Sequence, residues 1–534
     1  MKKHLKLLLC LLTLACLLCV SAQAEEAEPA WAAAGEMRIE TVDEIDISEA
    51  QRLAEAQNAQ APVSEENWEA AKRVLKQGMQ EMRTEIDISR YGIPKASLMK
   101  LYLEVAYNSP ELFYVRTGYS CSFNSSSADQ NVYRVSPMYT LDGVNEVYEL
   151  TNEDKQTIRQ QQAILEQKLT EIMQEVRSGW SDLAKIMYLH DYVALHCEYT
   201  YGYYDAYRML VDGIGVCQGY TLAYRLLLDR AGVTSSWVSS DSLHHIWSLV
   251  QIDGSWYHVD VTWDDLDWLA MSKREYFCIS DEKMRSAELG HIEKNDWVYG
   301  TDMGKADKKY DNYYWKDLMS PIVVIGEDLY YLNGRKIMKT HDPAYPGTWI
   351  KTFDGVWYVW GSGGGSSWSE WGCYSGLSSY NGKLVYNTPD KIYSYDPVSG
   401  QEQELYKRTS EEQQTGYIYG SMVNGNVLQY VLAKQPLQSN AKYVSIQLDP
   451  YTTVAAGGYA CYVKNGTLYL KRSGAQKGSV LAAWYDVNGK MLGMRLLNQQ
   501  ELTIPVPGAK TVKVFAVAET SYKPLCEATV LLAS

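Results

Sequence analysis

The chain of 534 residues carries 65 acidic and 50 basic side chains, a formal net charge of −15. That sign argues against a nucleic-acid partner, which would select a basic surface. The length exceeds what one hydrophobic core serves and sets an expectation of three or four domains.

Residues 1–24, "MKKHLKLLLCLLTLACLLCVSAQA", place a basic head at Lys2, Lys3 and Lys6 before an apolar run from Leu7 to Val20, with small residues at Ala22 and Ala24. This is the layout of a secretory signal peptide, with cleavage expected after Ala24 and an exported mature chain. Cys16 after "LTLA" invites a lipoprotein reading, but Thr13 and Leu14 fit such a box poorly and the A-x-A ending is better placed. Cleavage removes three lysines and no acid, so the charge moves from −15 to −18, 47 basic against 65 acidic residues. No later run reaches the ~18 apolar residues that a membrane span needs, which predicts a secreted or cell-surface protein with no membrane span.

Residues 25–62 are acidic and alanine-rich and read as a leader with little order, structure beginning near Ser64. A helix in "SEENWEAAKRVLKQGMQEM" follows from Ser64 as N-cap, Glu65 and Glu66 in the first turn, and Trp68, Ala71, Leu75, Met79 and Met82 at three- and four-residue steps. Gly78 weakens it. A second helix starts after Pro94 and stops before "NSP", and Tyr119 to Tyr139 alternates in the manner of strands, so that 63–150 forms a helical and β region. In 151–284 helices are expected over Asn152 to Val176 and Asp182 to Tyr199, then from Cys217 to Gly232. The period switches to two from Val233 to Trp263, and "KREYFCISDEKM" closes the region near Met284. Residues 310–445 hold three units that pair a turn with an aromatic strand, from Gly326, Asn381 and Asn424, too few to close a propeller of ~4 to 8 blades. They predict an irregular β-hairpin domain, with "GSGGGSSWSEWG" as a flexible loop. Short strands from 451 to 534 suggest a β-sandwich. The aromatic content, 43 Tyr and 16 Trp against 5 Phe, suits half-exposed strands and is read as β structure before a sugar-binding or adhesive surface.

Seven cysteines follow the signal: Cys121, Cys197, Cys217, Cys278, Cys373, Cys461 and Cys526. They are scattered, with no CxxC, so neither a zinc ribbon nor a disulfide scaffold is indicated, and the odd count leaves a thiol unpaired within the monomer. Cys217, in "GIGVCQGYTLAYRLLLDRAGV", sits in the first turn of its helix, where unsatisfied N–H groups and the helix dipole favour thiolate over thiol. A nucleophile also needs an imidazole to share the proton and a group to hold that imidazole. "HHIWSLVQIDGSWYHVDVTWDD" offers both. With Asp253-Gly254 as a two-residue hairpin turn, His245 faces Thr262 and Trp247 faces Asp260, which makes His245 and Asp260 diagonal neighbours on one face. A three-residue turn would put them on opposite faces.

Rivals are present. His258 shares the Asp260 face, although a structural role suits it better, and His244 at the start of the strand suits solvent or capping. His190 and His196 ride the preceding helix, where packing or surface exposure is usual. Asp264, Asp265 and Asp267 read as a solvated turn. Cys217, His245 and His258 could ligate zinc, but no short ligand pair accompanies them, so no metal or other cofactor is expected. Cys217 itself could be an inert buried thiol.

"GVCQGY", "HIW" and "WYHVDVTWDD", in that order, resemble the three motifs of the transglutaminase-like superfamily, over about Asp182 to Met284. "AYRMLVDGIG", "EIDISRYGIP" and "NSPELFYV" resemble a layout of exported bacterial members. Ile246 and Ser248 depart from the alanine and asparagine common around the tryptophan after the family's histidine. The resemblance implies a papain-like, transglutaminase-like core, which with the helices and strands read along the chain gives an α+β fold, N-terminal helices before the core and all-β C-terminal domains after it. Over that region it implies Cys217 as nucleophile, His245 as general base and acid, and Asp260 as orienting carboxylate in acyl transfer on protein or peptide amides. Hydrolysis is favoured over cross-linking, since no second-substrate feature is legible. Backbone N–H groups at the helix start would hold the oxyanion with a further, unassigned donor, and the β domains would take a cell-surface ligand. The competing class is a binding protein that uses the same fold as a silent scaffold.

Overall fold

The computed structural model describes residues 37–532 except 61, 127–129, 267, 287–288, 292–295, 364–365, 426, 437, 439, 449–451, 455–458, 465, 473–478, 498–500 and 518–528. The signal-like residues 1–24 therefore lie outside the described residues. The chain forms two compact units, one of the described residues up to Asp264 with Tyr276–Tyr313, the other of Asp265–Glu275 with Tyr314–Ser534.

The first unit contains strands β1 (Met37–Val42), β2 (Ile86–Asp87), β3 (Val115–Asn124), β4 (Val132–Thr140), β5 (Glu146–Val147), β6 (Glu198–Tyr199), β7 (Ile214–Gly215), β8 (Ser235–Ser240), β9 (His245–Ile252), β10 (Ser255–Val259), β11 (Phe277–Ile279) and β12 (Trp297–Tyr299). Its helices are α1 (Ile47–Gln60), α2 (Glu65–Gln80), α3 (Lys95–Tyr107), α4 (Asn152–Met173), α5 (Asp182–His196), α6 (Cys217–Arg230), α7 (Val261–Asp264) and α8 (Asp281–Met284). The leader expected to lack order up to Ser64 is ordered from residue 37. β1 pairs antiparallel with β3 from Met37↔Asn124 to Val42↔Tyr119, and α1 packs on α3. Ala50 and Ala54, one turn apart, are the buried contacts of α1, a stripe too slight for composition to reveal.

α2 starts as its cap residue demands, the Asn67 N–H donating to Ser64 Oγ at 3.3 Å. Gly78 is no defect in it, because a Cβ there would lie 2.5 Å from buried Ile86. Its bare backbone lets α2 approach β2. The first sheet runs β1-β3-β4-β2, with β5 on β4, and the second β11-β10-β9-β8-β12. α6 packs on β9 and α5 on α6, and every α6 residue from Gly219 to Leu228 is buried. Under the second sheet Val238, Trp247, Leu249, Tyr276, Ile279, Met284 and Leu289 form a core cluster.

Asp253 and Gly254 both have positive φ, 52° and 82°, as a two-residue turn matched to the twist of its strands requires. The β9–β10 register follows, from Ile252↔Ser255 to Ser248↔Val259. There the ladder stops, because the chain turns into α7, and Thr262 does not reach a place opposite His245. The boundaries also differ from those read along the sequence. Residues on either side of 150 share one unit: the Tyr107 hydroxyl donates to Gln218 Oε1 (3.3 Å) and Arg225 to Asn108 Oδ1 (3.0 Å). The unit passes Met284 and ends at Tyr313, since β12 adds to the free edge of β8.

Among the described residues the second unit is built of strands, with one-turn helices at Tyr314–Asp317 and Glu412–Thr415. The expected hairpins at Gly326, Asn381 and Asn424 lie within antiparallel sheets whose strands begin at Val323, Leu377 and Tyr417. The glycine- and serine-rich run is no loop: Trp357–Gly363 pairs with Ser366–Gly372, and Tyr358 packs across the strands on Trp371, ring centroids 4.9 Å apart. The C-terminal strands form two four-stranded sheets among the described residues. Leu468, Leu470 and Ile504 of one meet Val480, Val512 and Val514 of the other in a shared core. Among the described residues, Cys121, Cys197, Cys217, Cys278, Cys373 and Cys461 form no disulfide with one another; Cys526 lies outside the described residues. Among the described residues, no helix is long and apolar enough to cross a membrane.

Candidate active site

Cys217 is the first residue of α6 and is partly exposed. Val216 before it is extended (φ −96°, ψ −177°) and offers no side-chain cap, so no cap side chain takes up the first-turn N–H groups beside the sulfur. Thr221, one turn on, donates its hydroxyl to both Cys217 O (2.9 Å) and Ile246 O (3.0 Å), which fastens the start of α6 to the start of β9. His245 opens β9 and Asp260 follows the last residue of β10. His245 Nε2 donates to Asp260 Oδ2 at 2.6 Å. With Nε2 engaged, the other ring nitrogen is left for Cys217, whose side chain lies close enough to the imidazole to act on its charge. The structure thus brings Cys217, His245 and Asp260 together from three elements.

Asp260 is fully buried, and its surroundings hold it as an anion. Oδ1 accepts the Trp263 N–H at 3.2 Å, in the first turn of α7. Oδ2 accepts a second imidazole, His291 Nε2, at 2.9 Å. Burial alone would raise the carboxyl, but the charge and hydrogen bond of His245 and those of His291 outweigh it and hold Asp260 well below the usual carboxylate range. For His245 burial acts to lower, and the Asp260 charge, then its hydrogen bond, then Cys217, reverse this and raise the imidazole well above its ordinary value.

Residues 170–261 match the family model of the transglutaminase-like superfamily. The chain carries a transglutaminase-like domain. The match takes in Cys217, His245 and Asp260 and stops short of His291. No curated protein matches the chain. Two solved structures of the extracellular domain of BT4673 from B. thetaiotaomicron, titled as a hybrid two component system and a one component system, are 8% identical to it. They cover 54% of this chain, which spans 42% and 43% of theirs, with TM-scores of 0.18 and 0.17. Scores that low define no common fold.

Nothing in the sequence points to His291. It lies outside the motifs of the transglutaminase-like domain, in "ELGHIEKND", where no periodicity or spacing marks it. The structure buries it fully, with its ring 4.1 Å from that of Trp263 and 5.2 Å from that of Tyr276. The donor atoms of His245, Asp260 and His291 lie within 4.8 Å of one another, a spacing that could hold a metal ion; two imidazoles hydrogen-bonded to one carboxylate oxygen account for the same geometry. The zinc set considered from sequence is not assembled. His258 is buried on other partners, its Nδ1 accepting the Trp247 indole N–H (2.9 Å) and its Nε2 facing Asp281 Oδ1 (3.0 Å).

The acids after Asp260 are a correction. Asp264 is no solvated turn residue but fully buried, accepting the Tyr276 N–H at 3.0 Å and facing His190 Nε2 at 3.1 Å. His190 Nδ1 faces Asp191 Oδ1, also at 3.1 Å. Burial acts to lower His190, and the two carboxylates overcome it and raise the imidazole. This ion cluster ties α5 to α7 and so steadies the helix that follows Asp260. Asp267 lies outside the described residues. His196 is held at Nδ1 by Tyr192 O (2.8 Å), and His244 is an exposed turn residue with φ 46°.

Proposed function

We propose that the chain is an exported cysteine-dependent acyl-transfer enzyme acting on protein or peptide amides, with Cys217 as nucleophile, His245 as general base and acid, and Asp260 as the carboxylate that orients the imidazole. The observation that carries this reading is the buried 2.6 Å hydrogen bond from His245 Nε2 to Asp260 Oδ2, with Cys217 close to the same imidazole. An imidazole raised by its carboxylate keeps the proton it takes from sulfur, so the pair works as thiolate and imidazolium. The thiolate attacks the amide carbonyl, the carbonyl π pair moves to oxygen beside the Cys217 N–H, and collapse expels the amine, which His245 protonates. Water, deprotonated by His245, then attacks the thioester and returns the thiol. Asp260, fixed by Trp263 N–H and His291, keeps Nε2 protonated through the cycle.

Hydrolysis is favoured over transfer to a second amine because no second-substrate feature is legible in the sequence. The signal-like residues 1–24 support export, and the second, all-β unit suits placement near a surface ligand. Iodoacetamide labelling followed by peptide mass mapping tests the assignment. Rapid alkylation concentrated at Cys217 and suppressed in His245→Ala is expected, together with loss of peptide hydrolysis in Cys217→Ala. Slow, unselective labelling that ignores His245→Ala would leave the domain a scaffold.

A further inference from the structure

Acyl transfer at Cys217 puts a negative oxygen beside the Cys217 N–H, and sites of this kind use more than one donor for it. Tyr199 stands at that position. β6 and β7 form a short parallel ladder in which Tyr199 pairs with Gly215, two residues before Cys217, and the Thr200 N–H donates to Gly215 O at 2.9 Å. Its ring stacks along Tyr220 (centroids 6.4 Å, 24°) and meets Tyr201 edge-on (5.4 Å). The ladder and the Tyr220 ring thus place the Tyr199 phenol near the start of α6, where its hydroxyl lies close enough to the Cys217 N–H and sulfur to interact with them. A phenol oxygen therefore stands beside the donor that the oxyanion would use, and a phenol that accepts a hydrogen bond still has its own O–H to give. The residue is 38% exposed, so an arriving carbonyl can reach it. The other nearby tyrosine, Tyr107, is buried and already donates to Gln218 Oε1.

We propose that Tyr199 is the second oxyanion donor: the incoming carbonyl oxygen accepts both the Cys217 N–H and the Tyr199 O–H. This rests on Cys217 being the nucleophile. With p-nitrophenyl acetate, the Cys217 thiolate forms the C–S bond as the π pair moves onto the carbonyl oxygen. That oxygen is held between the N–H and the O–H, and its collapse re-forms C=O and breaks the ester C–O bond. p-Nitrophenolate leaves, and Cys217 is S-acetylated. Iodoacetamide forms a C–S bond and expels iodide without creating an oxyanion, so it reports the thiolate alone.

The test compares the full chain with its Tyr199→Phe variant, following the p-nitrophenolate burst and the rate of iodoacetamide labelling at Cys217. The burst should slow on the order of 100- to 1000-fold while alkylation stays within about twofold. Equal loss in both rates would mean a structural role, a rise in both would mean that the hydroxyl merely obstructs the sulfur, and no change in either would mean a bystander. Each of these overturns the proposal. If the wild type alkylates at Cys217 but is never S-acetylated there, the acyl-transfer reading itself fails and this inference falls with it, a result read on the wild type alone.

Discussion

Asp260→Asn preserves shape and removes charge at the point where the site is most constrained. The carboxylate accepts three hydrogen bonds, from His245 Nε2, His291 Nε2 and the Trp263 N–H, and an amide cannot replace it in either orientation. With its oxygen toward the two imidazoles, its NH2 opposes the Trp263 N–H. Turned over, its NH2 faces both Nε2 atoms and drives the His245 proton to the sulfur side of the ring, where it can no longer receive one. Removing one partner of a buried ion pair costs about 3–5 kcal/mol. If half or more of that falls on the thiolate–imidazolium state, at about 1.4 kcal/mol per factor of ten, neutral-pH reactivity drops roughly 10- to 4000-fold. The assay is the second-order rate of iodoacetamide alkylation at Cys217 from pH 5 to 10, with rates recovering only toward alkaline pH in the variant. The stability arm has a defined sign. Asp260 is depressed in the folded chain, so its contribution is present above its unfolded value of about 3.9 and is lost as pH falls through the folded one. The gap in thermal midpoint between wild type and variant should be wide at neutral pH and close in strong acid. A variant that alkylates at the wild-type rate with an unshifted pH profile would refute the reasoning.

His291→Leu removes one donor from Asp260 and leaves His245 in place; it should cost about 1–3 kcal/mol of stability in thermal unfolding while alkylation falls less than tenfold, and a loss as deep as that of Asp260→Asn would give His291 a direct part in the chemistry. His190 is raised by Asp191 and Asp264, so its stabilisation is complete below its unfolded value of about 6.5 and is lost as pH rises through the raised folded value. The midpoint difference between wild type and His190→Gln should shrink toward alkaline pH, and a constant difference would show that the cluster is not charged. Gly78→Ala should destabilise in spite of a helix-propensity gain of about 1 kcal/mol, because Ile86 is buried where the new Cβ would go and overpacking costs about 1–3 kcal/mol; a higher midpoint would show that α2 and β2 can separate without loss.

What could be read along the chain is what local chemistry decides. Ser64 caps α2 because its hydroxyl reaches an N–H three residues on, Pro94 marks the start of α3, and Asp253-Gly254 sets the β9–β10 register through two positive φ angles. Cys217, His245 and Asp260 were legible for the same reason: one begins a helix and the other two flank a hairpin whose turn fixes their face. The partners that satisfy buried groups are decided over distance. β1 finds β3 only after α1, α2 and α3 have intervened. Its acidic, alanine-rich surroundings resemble an unstructured leader because nothing local says that Ala50 and Ala54 will meet α3. His291 stands well beyond Asp260, past the last regular feature of the motif region, and reaches the carboxylate only because Trp263 and Tyr276 wall it in. Asp264 and Asp265 make the limit plain: adjacent acids with the same local pattern, of which the first is buried against His190 and Tyr276 N–H while the second begins the segment that joins the other unit. A charge run is solvated by default. Whether one member is buried depends on a cation or an N–H opposite it, and for Asp264 those come from α5, far earlier in the chain, and from the residue just before β11. The same dependence makes the site testable by single substitutions, since each of its buried charges is held by named donors that can be removed one at a time.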